Sequence, residues 1–239
     1  MARPHDHAVL VPVDVLGGQS VPETIVDAFA SVPVVLLGYH VIPDQTTPEQ
    51  ARSNFERRAR SELDDLRDVF EAADCDVTTR LVFTHDRFSS FERAAVEFHC
   101  DGVLIVNPAP TLERILVAVR GDVTVEHLGR LIAAVFADSP VNVTLLHVAT
   151  SDAARERGRD LLEEAASTLA SHGVDRDRIE VSIVDGTPTD AIVDAAADHD
   201  LLVIGESRPS IRRAIFRDRA ERIARRTIDP VLVIRGEYL

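Results

Sequence analysis

Apolar and polar positions along this chain follow two rhythms. Short, nearly continuous apolar runs rich in Val, Ile and Leu recur at residues 8–14, 34–41, 77–84 and 102–106. Runs of that length and composition predict strands buried on both faces, the habit of a parallel sheet. Between them lie longer stretches in which apolar residues return every three or four positions, the spacing of one helix face. Residues 20–30 carry Val21, Ile25 and Phe29, with Ser20 placed to cap and Pro22 tolerated in a first turn. Residues 48–73 carry Phe55, Ala59, Leu63, Leu66 and Phe70 on one side and charge on the others, which predicts a long amphipathic helix. Residues 87–98 predict a third helix.

The pattern then breaks at Asn107-Pro108-Ala109-Pro110, a turn-rich dipeptide pair. Beyond it the same order returns. Strands are predicted at 114–120, 141–148, 179–184, 201–204 and 230–235, and helices at 123–137, 152–172, 188–198 and 210–227. His40-Val41 closes the second strand of the first half and His147-Val148 that of the second, an offset of 107; Asp101 and Asp200 precede the two fourth strands, an offset of 99. A steady offset with loop-length drift is the mark of an internal duplication. Strands alternating with helices predict an α/β fold with right-handed crossovers. The expected architecture is therefore two tandem doubly wound parallel-sheet domains, residues 1–110 and 111–239, the first ending before a fourth helix and fifth strand.

Composition narrows the function classes. The formal net charge is −14 in 239 residues, and all 26 basic residues are arginine. Such a chain repels nucleic-acid phosphates and anionic membrane surfaces at long range, so no nucleic-acid partner is expected. A lysine-free, acidic chain resembles proteins of extreme halophiles, which makes a halophilic archaeon the expected source; arginine codons of a GC-rich genome are the alternative. The apolar runs are too short to span a bilayer. Two separated cysteines, Cys75 and Cys100, and a first segment ARPHDH without an apolar stretch fit a reduced, cytoplasmic protein.

Several stretches carry a family likeness. The first strand ends in PVD, the second in HV, the turn after the eighth strand reads G-E-S, and it is followed by ER-I-ARR and then DPVLVIR. This order resembles a tandem universal stress protein. The resemblance implies an adenine-nucleotide α-hydrolase-like fold. Some members bind ATP, others bind none and act as dimeric stress or regulatory proteins, and similar domains sit on the cytoplasmic side of membrane transporters. ATP-binding members carry G-x2-G-x9-G-[ST] after the fourth strand, because backbone N–H groups must approach the phosphates in conformations a side chain would block. Gly205 matches the first glycine. Counting forward, the others fall on Arg208, Asp218 and Arg219; counting back from Glu221-Arg222 they fall on Ser207 and Arg217. Neither alignment supplies a glycine. The family's strand-one aspartate is Arg120 in the second copy and Asp14 in the first, which ends before any phosphate loop.

What stands in place of the glycines is basic. Between positions 205 and 235 there are nine arginines against four acids. Gly205, Ser207, Arg208, Ser210 and Arg212 form a candidate anion or nucleotide site at a helix start; the alternative is that these arginines only pair with surface acids. Ile211, Ile215, Ala220, Ile223 and Ala224 between them are expected core. His40 and His147 are expected to be hydrogen-bonded structural groups. His5 and His7 are at most a loose chelate, and no zinc-type spacing occurs. Thr84-His85-Asp86 with Ser89 has the residue types of a hydrolytic triad, which only spatial geometry can define. Gly186-Thr187-Pro188 reads as a turn opening a helix, with a hydroxyl free to cap it.

The expectation for function is a non-catalytic stress-response or regulatory module, with no cofactor and no family-type ATP site. The alternatives are a nucleotide- or anion-binding switch built on the arginine-rich loop and helix, or a cytoplasmic partner of a membrane transporter. The apolar strand at 231–234 predicts a homodimer through that edge.

Overall fold

A computed structural model describes residues 7–107, 111–120, 125–205 and 230–235. The chain divides into two compact units, residues 1–106 and 107–239.

The first unit runs β1 (Val9–Asp14), α1 (Glu23–Phe29), β2 (Val34–Val41), α2 (Pro48–Ala72), β3 (Val77–Thr84), α3 (Arg87–Glu97) and β4 (Gly102–Ile105). Its strands are parallel in the order β3-β2-β1-β4. The chain thus builds outward from β1 and then returns to the other side of it. Val9, Leu10, Val11, Leu36, Leu37 and Leu104 are fully buried, as continuous apolar runs require. Helix α2 packs on β2 and β3, and α3 on β1 and β2. A complete capping box starts α2: Thr47 Oγ1 accepts the Gln50 N–H while the Gln50 side chain accepts the Thr47 N–H.

Two local expectations fail here. Ser20 does not cap α1; Pro22, extended at φ −60° and ψ 142°, takes the N-cap position, and the helix starts three residues later than predicted. The proline's fixed φ suits either place, but its position ahead of the first turn leaves Ser20 too far away. Phe55 is not core either. It is 43% exposed, whereas Ala59, Leu63 and Phe70 of the predicted stripe are buried, joined by Ala51.

The second unit runs β5 (Arg114–Ala118), α4 (Val125–Phe136), β6 (Asn142–Ala149), α5 (Asp152–Ser171), β7 (Ile179–Asp185), α6 (Pro188–Ala196), β8 (Leu201–Gly205) and β9 (Val231–Ile234). A single 3-10 turn, Arg176–Arg178, precedes β7. Within the unit the parallel order is β9-β8-β5-β6-β7. Helices α4 and α5 pack together, and Gly129 makes this possible: a Cβ there would lie 2.5 Å from Thr168 Cγ2. The helix predicted at 210–227 lies outside the described residues. All four side chains of β9 are buried within the single chain, at most 1% exposed.

One contact recurs. The Asp101 N–H donates to the Ala8 carbonyl at 2.8 Å, and the Asp200 N–H donates to the Arg114 carbonyl at 2.8 Å. Each aspartate ties the start of a fourth strand to the start of a first. Asp200 adds its carboxylate, which accepts the N–H groups of Glu113 and Arg114, both at 2.8 Å.

Candidate functional site

In an open parallel sheet, ligands lie beyond the carboxyl ends of the strands where the strand order reverses. In the second unit that place is the end of β5, flanked by β6 and β8, and a cleft of about 280 Å³ opens beside it. Ala118, Val119 and Arg120 come from the end of β5, and Leu146, His147 and Val148 from β6. Thr150 and Ala154 bring the start of α5, and Pro188 and Ile192 the start of α6. Among the described residues, none of those lining the cleft carries a carboxylate.

Local structure fixes these groups. The Val119 N–H still donates to Leu146 at 2.8 Å, but its own carbonyl turns to His147 Nδ1 at 3.1 Å. A carbonyl only accepts, so Nδ1 carries the proton of this bond. The bond ends β5 before Arg120, two residues short of the predicted strand end. The imidazole then rests against Gly158 of α5, where a Cβ would lie 2.4 Å from the ring. Pro188 is the first residue of α6, and Thr187 is its N-cap but makes no side-chain capping bond, contrary to expectation. Ser151 does cap α5, accepting the Ala154 N–H at 3.2 Å.

The fold thus gathers Arg120, His147 and the Gly186–Pro188 turn around one cleft. Thr150, Ala154 and Ile192 went unrecognised in the sequence. Their signal was positional: Thr150 follows the HV strand end by two residues, and Ile192 stands one helical turn after Pro188. Gly205 ends β8 and pairs in register with Ile234. Ser207, Arg208, Ser210 and Arg212 lie outside the described residues.

At the corresponding place in the first unit a side chain links the strand ends. Gln19 Oε1 accepts the Asp14 N–H at 3.0 Å, and Gln19 Nε2 donates to the Val106 carbonyl at 2.8 Å. The amide therefore bridges the ends of the first and fourth strands. Asp14 Oδ1 accepts the Gly17 N–H at 3.0 Å and pairs with His40 Nδ1 at 3.2 Å. Phe55 meets the His40 ring edge-on at 6.2 Å.

The triad-like set does not assemble as a relay. Ser89 Oγ donates straight to Asp86 Oδ2 at 2.8 Å, and Asp86 caps α3. His85 Nδ1 turns to the Ile42 carbonyl at 3.2 Å. A relay needs the histidine between the acid and the serine. His7 Nδ1 lies 3.3 Å from Asp101 Oδ2, an ordinary ion-pair distance; His5 lies outside the described residues.

The family model for universal stress proteins matches residues 111–235, more than half of the chain. The chain belongs to the universal stress protein family. Solved structures place the fold more widely. A universal stress protein from Archaeoglobus fulgidus DSM 4304 superimposes with a TM-score of 0.65 at 15% identity, covering 97% of each chain. The cytoplasmic domain of a prokaryotic cation chloride cotransporter superimposes with a TM-score of 0.54 at 14% identity, over 95% of this chain and 94% of that one. At such identities these likenesses establish the α/β fold and nothing finer. None of the curated proteins matches the chain. No described helix is long and apolar enough to cross a membrane.

Proposed function

We propose that this universal stress protein is a non-catalytic stress-response or regulatory module that does not bind ATP in the family manner. The observation that carries the reading is Arg120. It lines the cleft at the end of β5, where the family's strand-one aspartate faces the adenosine. Reversing that charge removes an acceptor for the adenosine side. The glycines that would let backbone N–H groups wrap a triphosphate are also missing from the sequence after Gly205. In the first unit the Gln19 amide bridges the strand ends at the corresponding place, which favours the same reading. Calorimetric titration with Mg-ATP in multimolar salt tests the proposal: no saturable heat is expected, and tight magnesium-dependent binding would refute it.

The duplication belongs to the same proposal. The matching Asp101 and Asp200 contacts and the shared strand order favour two copies of one domain, the first cut short after its fourth strand.

A second reading is favoured by the fold likeness to a transporter's cytoplasmic domain. In it the chain is a cytoplasmic regulatory partner of a membrane transporter. Co-sedimentation with membranes from the source cells, abolished by carbonate washing, is the expected result. A homodimer through the edge of β9, where backbone groups rather than side chains would pair, remains part of the proposal. Sedimentation in high salt reads the subunit number directly.

A further inference from the structure

We propose that the exposed flank of α2 docks a second copy of this chain, with the two helices antiparallel and a two-fold axis beside Glu62. The inference is separate from a pairing through the edge of β9. Charge polarity is the first argument. Residues 48–60 of α2 hold four arginines against two acids, a net of +2, and residues 61–72 hold one arginine against five acids, a net of −4. The helix dipole favours the opposite arrangement, acids in the first turns and cations in the last. The last turn of α2 holds no basic residue. This polarity therefore brings the helix no gain by itself. An antiparallel copy sets the basic half of each helix against the acidic half of the other, which steers and orients the encounter.

Exposed apolar side chains are the second argument, and they fix the register. Phe55 is 43% and Val69 45% exposed, and they are the two large exposed hydrophobic residues of α2. Two heptads separate them, so they stand on one flank of the helix, about 21 Å apart along its axis. An antiparallel pair centred midway between them, at Glu62, sets Phe55 of each copy on Val69 of the other. The same register brings Arg58 opposite Asp65 and Arg57 opposite Asp68 of the second copy. Within its own helix Arg58 is held loosely. Glu62 lies 4.0 Å away, both side chains are at least half exposed, and arginine preceding glutamate is the weaker i,i+4 order. The two Glu62 carboxylates approach each other at the axis, a like-charge contact that opposes the association. A contact along one helix flank belongs with the small interfaces below about 1,200 Å², so a covalent trap suits the test.

The test uses the full-length protein carrying Phe55→Cys and Val69→Cys, at the lowest salt that keeps it folded. Both positions are exposed, and the two natural cysteines are buried. A disulfide needs Cα atoms within about 7 Å, and positions 55 and 69 of one helix stand about 21 Å apart. A bond between them therefore has to join two chains. Mild oxidation followed by peptide mass spectrometry is expected to show the 55–69 link in a covalent dimer of the double variant. Neither single variant should give a dimer, since the register keeps like positions apart. In the double-variant background, Arg58→Asp should lower the yield several-fold, adding Asp65→Arg should restore it, and Glu62→Gln should raise it. Absence of the 55–69 link, equally abundant dimers in the single variants, or a yield unchanged by Arg58→Asp overturns the proposal. A sedimenting dimer that forms no 55–69 link also overturns it, and leaves the pairing through β9 standing.

Discussion

At Cys75 the sequence places a thiol where reactivity has to be read from surroundings. The side chain is buried, and Sγ donates to the Phe29 carbonyl at 3.5 Å. Burial first, and then the neighbouring Asp76 charge, pushes the thiol from 9.0 to about 11. The folded protein thus holds this proton more tightly than the unfolded chain. Its contribution to stability is complete below pH 9 and is lost as the pH rises from about 9 to about 11. Denaturation midpoints should fall across that window, and Cys75→Ala should flatten the fall. Iodoacetamide at pH 8 should leave Cys75 unmodified in folded protein; rapid labelling there would show that the thiol is reactive. Gly158 poses a contest of magnitudes. Alanine in place of a mid-helix glycine gains about 1 kcal/mol of helix propensity. A Cβ at 2.4 Å from the His147 ring costs about 1–3 kcal/mol as overpacking. The ring is held by its bond to Val119, so the clash wins, and Gly158→Ala should destabilise by about 1 kcal/mol in urea titration. Adding His147→Ala should reverse the sign of the Gly158→Ala effect, a coupling that a double-mutant cycle reads directly.

Elements were legible in the sequence where side chain and backbone point to the same answer. Val34–Val41 and Val77–Thr84 begin and end where their apolar runs do. The starts of α2, α3, α5 and α6 coincide with Thr47, Asp86, Ser151 and Thr187 at their N-caps. Errors arose where a tertiary contact decides. The end of β5 is set by the imidazole of His147, which is 28 residues away in sequence. The site was legible in fragments: Arg120, His147 and Pro188 each stood out by their place in the repeat, but only the fold brings them to one cleft. Arg178 was invisible to pattern. It reaches back to the connection between α4 and β6 and donates to the carbonyls of Ala137, Ser139 and Val141. Removing a charged donor from several such carbonyls costs about 2–3 kcal/mol. Arg178→Ala should lower the denaturation midpoint by that amount, and Arg178→Lys, with a point charge in place of a fork, should recover only part of it.

Across the whole molecule the charge is the property that decides conditions of folding. A net charge of −14 opposes compaction through self-repulsion. The ion pairs on the described surface do little against it. Arg60–Glu56 at 2.7 Å and Arg67–Asp64 at 3.0 Å are exposed pairs along α2, of a kind that adds little to stability. Salt acts on both terms: the Debye length falls from about 10 Å at 0.1 M to about 3 Å at 1 M, which weakens the short pairs a little and the long-range repulsion almost completely. The balance predicts a protein that gains stability with salt. With about 2–4 °C of Tm for each kcal/mol in a chain of this size, raising potassium chloride from about 0.1 M to multimolar should raise Tm by on the order of 10 °C. A codon-driven arginine bias without salt adaptation predicts a flat or falling Tm instead. The same melts, repeated over a range of protein concentrations, report on assembly, because a Tm that rises with concentration requires subunits that separate on unfolding. Salt-dependent stability with no concentration dependence would mark a monomer adapted to high salt; dependence on both would mark subunits that hold together in the folded state.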